Sequence, residues 1–351
     1  MSSSLDSTST SLSPSPLSGP DFTSLPASET TLKELEKVLN SLETSSRIGE
    51  QLRNLASYRS NPSDSDIPIS SIPHKRLASV LVLLHLSTNP KTREEELKVT
   101  LTTRSKRMRS HPGETALPGG KFEDGTDKTI EETALREANE EISLPLPPTS
   151  PLLHLTNLEP YTSRTLLIVV PCIYFLALPA KEADDWLEER LKGNEDEVEA
   201  IFNCSLLQLL RLTSTKPKPT STIPNGEGEE EEGKEVKEVK EVKDYVYSFE
   251  DYDWALSPST IYRLHSFSSP TFASSITGLT ADILIDTAAI AEFGAEEGLE
   301  RVEGIGFERR GEGQVGWKEI VKRALRIEKV SSRDARAVNG KSREGEVGLS
   351  R

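Results

Sequence analysis

The chain has 351 residues, of which 34% are hydrophobic and 22 are proline, so it has room for one large domain or two ordinary ones, with part of its length expected to stay unpacked. A formal charge of −15, from 57 acidic against 42 basic side chains, argues against a general nucleic-acid or membrane-surface binder, which needs basic surface. An anionic substrate stays compatible with this charge only if a divalent cation and a few arginines stand between it and the acids. The two cysteines, Cys172 and Cys204, match neither a disulfide framework nor a zinc spacing and are expected to be buried thiols in a reducing compartment. The longest uncharged apolar run, Leu166 to Ala180, holds two prolines and is shorter than the ~18 residues a membrane span needs. No basic, apolar leader opens the chain. A soluble intracellular protein without membrane or nucleic-acid partners is expected.

Residues 1–28 are rich in Ser, Thr and Pro and are expected to be a disordered tail. From Glu29 the spacing of Leu32, Leu35, Val38, Leu39 and Leu42 predicts an amphipathic helix, with Ser28 or Thr30 as N-cap. Ile48, Leu52 and Leu55 suggest a second short helix, and the extension closes in a linker before residue 75. The body, residues 75–293, opens with two strands, "RLASVLVLLHL" and "LKVTLTTRS", followed by "TALPGG", a short strand ending in a turn. A helix is predicted from Asp127 to Ile142, stopped by "LPLPPTSP". Strands follow at "LLHLTNL" and "TLLIVVPCIYFLAL", then a helix at Trp186–Leu191 and another at "SLLQLLR". Residues 212–243, with "KEV" three times in register, read as an acidic low-complexity insertion. Strands return at "DYVYSF" and "STIYRLHSF", and "GLTADILIDTAAIAEF" reads as an apolar helix. The tail 294–351 is expected to be mostly disordered, with one amphipathic patch at "WKEIVKRALRIEK". Interleaved strands and helices imply an α/β layer architecture.

The chemistry concentrates in residues 111–144. On a helix, Glu137, Glu140 and Glu141 project from neighbouring positions, where like charges repel by a few tenths of a kcal/mol per pair, roughly. Ala134, Leu135, Ala138 and Ile142 anchor the remaining surface. Such a cluster is either a solvated face or a cage for a hard cation, Mg²⁺ or Mn²⁺. Arg136 is placed to hold a carboxylate in a bidentate pair. The Pro118-Gly119-Gly120 turn lets backbone approach a ligand closely. Arg104, Arg107 and Arg109 form a basic knot ahead of it, either phosphate-binding or surface charge. For His111 and Lys121, substrate contact and a structural or solvated role stand equal, whereas His74, His85, His154 and His265 read as structural.

"GGKFEDGTDKTIEETALREANEEISL" resembles the Nudix box, G-x5-E-x7-R-E-U-x-E-E-x-G-U with U aliphatic. Arg136, Glu137, Ala138, Glu140, Glu141 and Leu144 match position by position. Ser143 stands where the box closes on glycine, and the first half is longer than the general spacing, which leaves Asp127 as the nearest counterpart of the early glutamate. The preceding "LTTRSKRMRSHPGETALPGG" is similar to the signature of the coenzyme A diphosphatase branch. Thr102, Arg104, Ser105, Arg109, Gly113 and Pro118-Gly119-Gly120 fall in place, with Leu117 where phenylalanine is usual. "NEDEVEAIFNCSL" and "GLTADIL" also resemble segments of that branch.

The resemblance implies a Nudix-type α/β/α sandwich with a mixed β-sheet, flanked by disordered tails. It implies hydrolysis of coenzyme A or acyl-coenzyme A to 3′,5′-ADP and (acyl-)4′-phosphopantetheine. Glu137, Glu140 and Glu141 would hold Mg²⁺ or Mn²⁺; Glu140, Arg136 and Glu197 would be catalytic, Glu197 as base with Glu195 nearly its equal. Arg104, Arg107, Arg109, Gly119, Gly120 and Lys121 would bind substrate. Two alternatives stay open: a Nudix hydrolase of NADH, ADP-ribose or capped RNA, and an inactive interaction protein on the same fold. Peroxisomal members of the branch end in a Ser-Lys-Leu type tail, whereas this sequence ends Gly-Leu-Ser-Arg, so peroxisome, mitochondrion and cytosol are left unresolved. Oligomeric state is not addressed by the sequence.

Overall fold

The computed structural model describes residues 29–58, 68–214, 240–242, 245–253, 261–294 and 316–327. The expected tail 1–28, most of the KEV-rich insertion and most of the tail after 294 lie outside the described residues. Helix α1 (Glu29–Leu42) buries Leu35 and Leu39, and α2 (Ser46–Ser57) buries Ile48, Leu52 and Leu55, the side chains whose spacing predicts both helices. Ser45 caps α2 by accepting a hydrogen bond from the Ile48 N–H.

The central sheet is built on β1 (Leu77–Thr88) and β7 (Ile168–Leu176), which run parallel from Leu77 opposite Ile168 to His85 opposite Leu176. Both are buried on nearly every residue, which explains their continuous apolar sequences. The far half of β1 pairs antiparallel with β2 (Glu95–Arg104). Toward their other ends these strands part, and the short β3 (Thr115–Ala116) and β4 (Gly119–Lys121) fill the opening. There β3 pairs with β2 and β4 with β1. Beyond β7 lie β5 (Leu152–Asn157) and β6 (Tyr161–Thr162), and beyond β2 lies β8 (Val198–Ser205). The sheet is mixed, as expected for a Nudix-type fold.

Helices α3 (Ile130–Ile142) and α4 (Ala180–Arg190) share one buried cluster with Leu81, Leu83, Val170 and Cys172. The opposite cluster joins Val82, Leu84, Val99 and Phe175 to α1, α2, α5 (Leu206–Ser214) and α6 (Gly278–Phe293). Alternate residues of β1 thus feed alternate faces, giving three layers. Burial of each large aliphatic side chain contributes roughly 1.5–3 kcal/mol. A second sheet, β9 (Lys240–Val242), β10 (Tyr245–Asp253), β11 (Ile261–Ser268) and β12 (Ile276–Thr277), leads into α6. Helix α7 (Trp317–Leu325) is the amphipathic patch of the C-terminal region and buries Ile320, Val321 and Ala324.

Two details differ from the sequence reading, and a third segment that it left unassigned falls into place. The glutamate helix begins at Ile130 rather than Asp127, because Thr129 takes the extended N-cap conformation and accepts from the Glu132 N–H. Helix α4 begins at Ala180 rather than near Trp186, since its first turns bury only Ala180 and Ala183 and show little apolar period. "VEAIFN" belongs to strand β8. Both cysteines are free and buried. Among the described residues no helix is long and apolar enough to cross a membrane.

Candidate active site

The carboxylate helix is locked to the loop before it by one side chain. Arg136 Nε and Nη2 donate to the two oxygens of Asp127 at 2.9 and 3.0 Å, and Nη2 also reaches the Lys121 carbonyl at 3.0 Å. Its Nη1 bonds Glu137 at 3.1 Å and Glu140 at 3.2 Å. The bidentate pair therefore goes to Asp127, off the helix, with single bonds left for the helix glutamates. Burial pushes the Asp127 carboxyl up, but bonds from Arg136, the Glu123 N–H and Thr133 outweigh it and hold the group below its ordinary range. The Asp127 bonds hold the Arg136 guanidinium firmly protonated.

Helix α3 ends on Ser143 in the left-handed conformation, φ 56°, which explains why the box it resembles prefers glycine there. The Asn139 side chain donates to the Leu144 carbonyl at 2.9 Å, and Ser143 Oγ to the Lys192 carbonyl at 3.1 Å. The last α3 carbonyls also anchor the next segment: Lys192 N donates to Ile142 and Asn194 N to Glu141, at 3.0 and 2.8 Å. That anchorage carries Glu197, half-buried, to the side of Glu141, whereas Glu195 is exposed.

Glu141 is buried and its Oε2 accepts from the Gly119 N–H at 3.1 Å; Arg104 Nη1 lies 3.9 Å from Oε1. Burial pushes its carboxyl up to about 7. The Gly119 N–H and Arg104 oppose that shift, while the Glu137 and Glu197 charges add to it. Glu137 is raised as well, first by burial, with Arg136 opposing and Glu140 and Glu123 adding. Glu123 is a further acid of this neighbourhood that its exposed, Gly/Asp-rich loop did not mark.

The two glycines are required by close approach. A Cβ on Gly119 would stand 2.3 Å from the Ser79 carbonyl oxygen and 2.6 Å from Val80 Cα, and one on Gly120 2.4 Å from the Glu137 carboxylate. A register shift between Thr103 and Arg104 in the β2–β8 pairing falls beside the site, where bulges commonly re-aim a side chain.

The structure thus brings together Glu137, Glu141, Arg104, Glu197, Gly119 and Gly120, with Glu140 at the solvent edge, its side chain 55% exposed. Arg107 is turned outward toward Asp196, 3.7 Å away, and Lys106 pairs with Glu199 at 2.8 Å. Arg109 and Lys121 are exposed. His111 is engaged with Glu114 at 2.8 Å. Among the described residues, no three His, Cys, Asp or Glu side chains are already drawn together as a metal cage. Arg136 accounts for this physically, because its Nη1 holds Glu137 and Glu140 in its own bonds while Glu141 bonds Gly119. The donor chemistry still fits a hard divalent cation: clustered carboxylate oxygens, with Glu141 and Glu137 raised by burial and by repulsion from neighbouring carboxylates that a cation would relieve.

The chain is similar in sequence to known proteins. Residues 82–226 match the NUDIX domain family. Nudix hydrolase 15, mitochondrial, of Arabidopsis thaliana is 37% identical over 153 residues, covering 42% of this chain and 47% of that protein. Peroxisomal coenzyme A diphosphatase ndx-8 of Caenorhabditis elegans is 36% identical over 149 residues, covering 42% and 56%. Peroxisomal coenzyme A diphosphatase 1 of Saccharomyces cerevisiae is 39% identical over 114 residues, covering 30% and 31%. The chain spans about half the length of the first two of these relatives.

Proposed function

Residues 82–226 are a Nudix domain, and from that premise we propose that the protein is a divalent-metal-dependent hydrolase of the diphosphate bond in coenzyme A or its acyl thioesters. The products are 3′,5′-ADP and 4′-phosphopantetheine or its acylated form. The observation that carries the reading is the joining of the α3 carboxylates to the glycine bend through Glu141 and Gly119. The arginine-bearing strand that resembles the coenzyme A branch supports the substrate, as do two relatives named coenzyme A diphosphatases.

Glu137, Glu140 and Glu141 would hold Mg²⁺ or Mn²⁺, which when bound neutralises diphosphate charge and acidifies a water. The chain's own residues do the rest. Arg136 and Asp127 fix the helix against the bend, so the carboxylates need little reorganisation. The bare backbone at Gly119 and Gly120 admits a phosphate close to the carboxylates, and Arg104 supplies positive charge beside them. Glu197 is the base that accepts a proton from the attacking water, favoured over the exposed Glu195 because it is half-buried and its charge acts on Glu141.

Mass spectrometry of products from coenzyme A and from NADH, ADP-ribose and capped RNA, with Mg²⁺, with Mn²⁺ and with chelator, tests the proposal. Release of 3′,5′-ADP that stops on chelation is expected. Cleavage of NADH far faster than coenzyme A would replace the substrate while keeping the reaction class.

A further inference from the structure

Three hydroxyls meet where the second sheet reaches the first. Thr103 of β2 stands opposite Thr115 of β3, and both side chains are buried. Ser274 comes to them from the loop 269–275 that joins β11 to β12. Its Oγ lies 3.0 Å from Thr103 Oγ1 and 2.6 Å from Thr115 Oγ1, and Thr115 Oγ1 also donates to the Ser274 carbonyl at 3.1 Å. One arrangement of protons serves all three groups: Thr103 donates to Ser274 Oγ, Ser274 to Thr115 Oγ1, and Thr115 to the Ser274 carbonyl. The loop is braced on either side of Ser274. Phe272 packs on Phe202 of β8, ring centroids 5.7 Å apart, and Thr280 Oγ1 of α6 donates to the Thr115 carbonyl at 3.4 Å.

Both strands joined by this hydroxyl cluster lead into the site. Arg104 follows Thr103 directly, at the register shift of the β2–β8 pairing. Its N–H donates to the Glu114 carbonyl at 2.9 Å and its carbonyl accepts from the Gly113 N–H at 3.0 Å, so its backbone is coupled to the segment that enters β3. Strand β3 in turn continues through Leu117 and Pro118 to Gly119. Arg104 and Gly119 are the groups that approach the two oxygens of Glu141, Arg104 Nη1 at 3.9 Å from Oε1 and the Gly119 N–H at 3.1 Å from Oε2.

The Arg104 side chain is not fixed by bonds of its own. Among the described residues its Nε is buried without a hydrogen-bond partner, and Glu141 lies beyond hydrogen-bond distance. Its reach is therefore set by its backbone, and the residue before it is tied to Ser274. We propose that Ser274 is a positioning residue for the reaction: its hydroxyl clamps β2 to β3 and so holds Arg104 in register with the Gly119 bend and Glu141. Removing that hydroxyl leaves two buried threonine hydroxyls short of a partner and lets the two strands shift against each other, and small displacements of a substrate-positioning group are costly in rate.

The assignment rests on the function proposed above, in which Arg104 supplies positive charge to the substrate. The test is a double-mutant cycle on the full chain. It measures kcat/KM for wild type, Ser274→Ala, Arg104→Ala and the two combined, on coenzyme A or whichever diphosphate wild type cleaves, with thermal midpoints alongside. Ser274→Ala lowers kcat/KM about tenfold, mainly through KM, and Ser274→Thr, which keeps the hydroxyl, recovers part of the loss. In the Arg104→Ala background the same change costs less than about twofold, because the group it positions is gone. Thr103→Val removes the hydroxyl facing Ser274, keeps the side-chain shape and follows the same pattern, which decides the matter should Ser274→Ala not fold. A loss by the same factor in both backgrounds, or no loss in either variant, overturns the assignment alone. A wild-type enzyme that cleaves no diphosphate overturns the underlying function with it.

Discussion

Glu141 Oε2 and the Gly119 N–H are 3.1 Å apart, so the last acid of the helix and the first glycine of the bend form one unit. Glu141 is held there with its carboxyl raised to about 7. In the metal-free protein the folded state therefore keeps a proton that the unfolded chain has already released, and stability falls as pH rises from about 4.5 through 7. Glu141→Gln keeps an acceptor for Gly119 and removes the titration. In chelator at pH 8 the variant should be more stable than wild type by roughly 3 kcal/mol, with the difference vanishing near pH 4. Thermal unfolding across that range checks it; parallel curves at all pH values would contradict it.

The two glycines should fail differently on substitution by alanine. At Gly119 the added Cβ meets backbone of β1, which cannot step aside, so Gly119→Ala should lose about 3 kcal/mol or more of stability. At Gly120 the Cβ meets only the carboxylate end of Glu137. Gly120→Ala should stay folded and lose at least about tenfold in turnover, because a carboxylate proposed to hold the metal is displaced. Paired measurements of melting and activity separate the two cases.

Most of the carboxylate arrangement was legible because it is local. The spacing that puts Glu137 and Glu141 on one face of α3 also buries Ala134, Ala138 and Ile142, and "PGG" marks the bend. What was not legible depends on contacts distant in sequence. Arg107 looks like a phosphate ligand beside Arg104, yet it lies on the turn after β2, exposed beside Asp196. Asp127 looks like a helix residue, but Thr129 caps the helix first and frees Asp127 to bind Arg136.

Ser143 should be a site of easy stabilisation. It holds a left-handed conformation at the end of α3, which disfavours an L-residue by roughly 1–2 kcal/mol relative to glycine. Its hydroxyl bond to the Lys192 carbonyl offsets only part of that. Ser143→Gly should raise stability by about 0.5–1 kcal/mol without changing activity. Chemical denaturation measures it, and a loss of stability would show that the Lys192 bond outweighs the backbone strain.

The two acids of the 194–197 loop should separate in kinetics. Glu197 is half-buried and its charge acts on Glu141, whereas Glu195 is exposed, so Glu197→Gln should lower kcat by about a hundredfold or more. Glu195→Gln should behave as wild type within about twofold. The reverse ranking in rapid-quench assays would reassign the base.

The central claim is that Glu137, Glu140 and Glu141 exist to grip a divalent ion. Titration of Mn²⁺ into the full chain, with free Mn²⁺ followed by electron paramagnetic resonance, addresses it without depending on the substrate. Wild type should take up Mn²⁺ with an affinity that falls at least about tenfold when either Glu137→Gln or Glu141→Gln is introduced. Equal uptake by wild type and both variants would contradict the account and return the helix to the status of a charged surface.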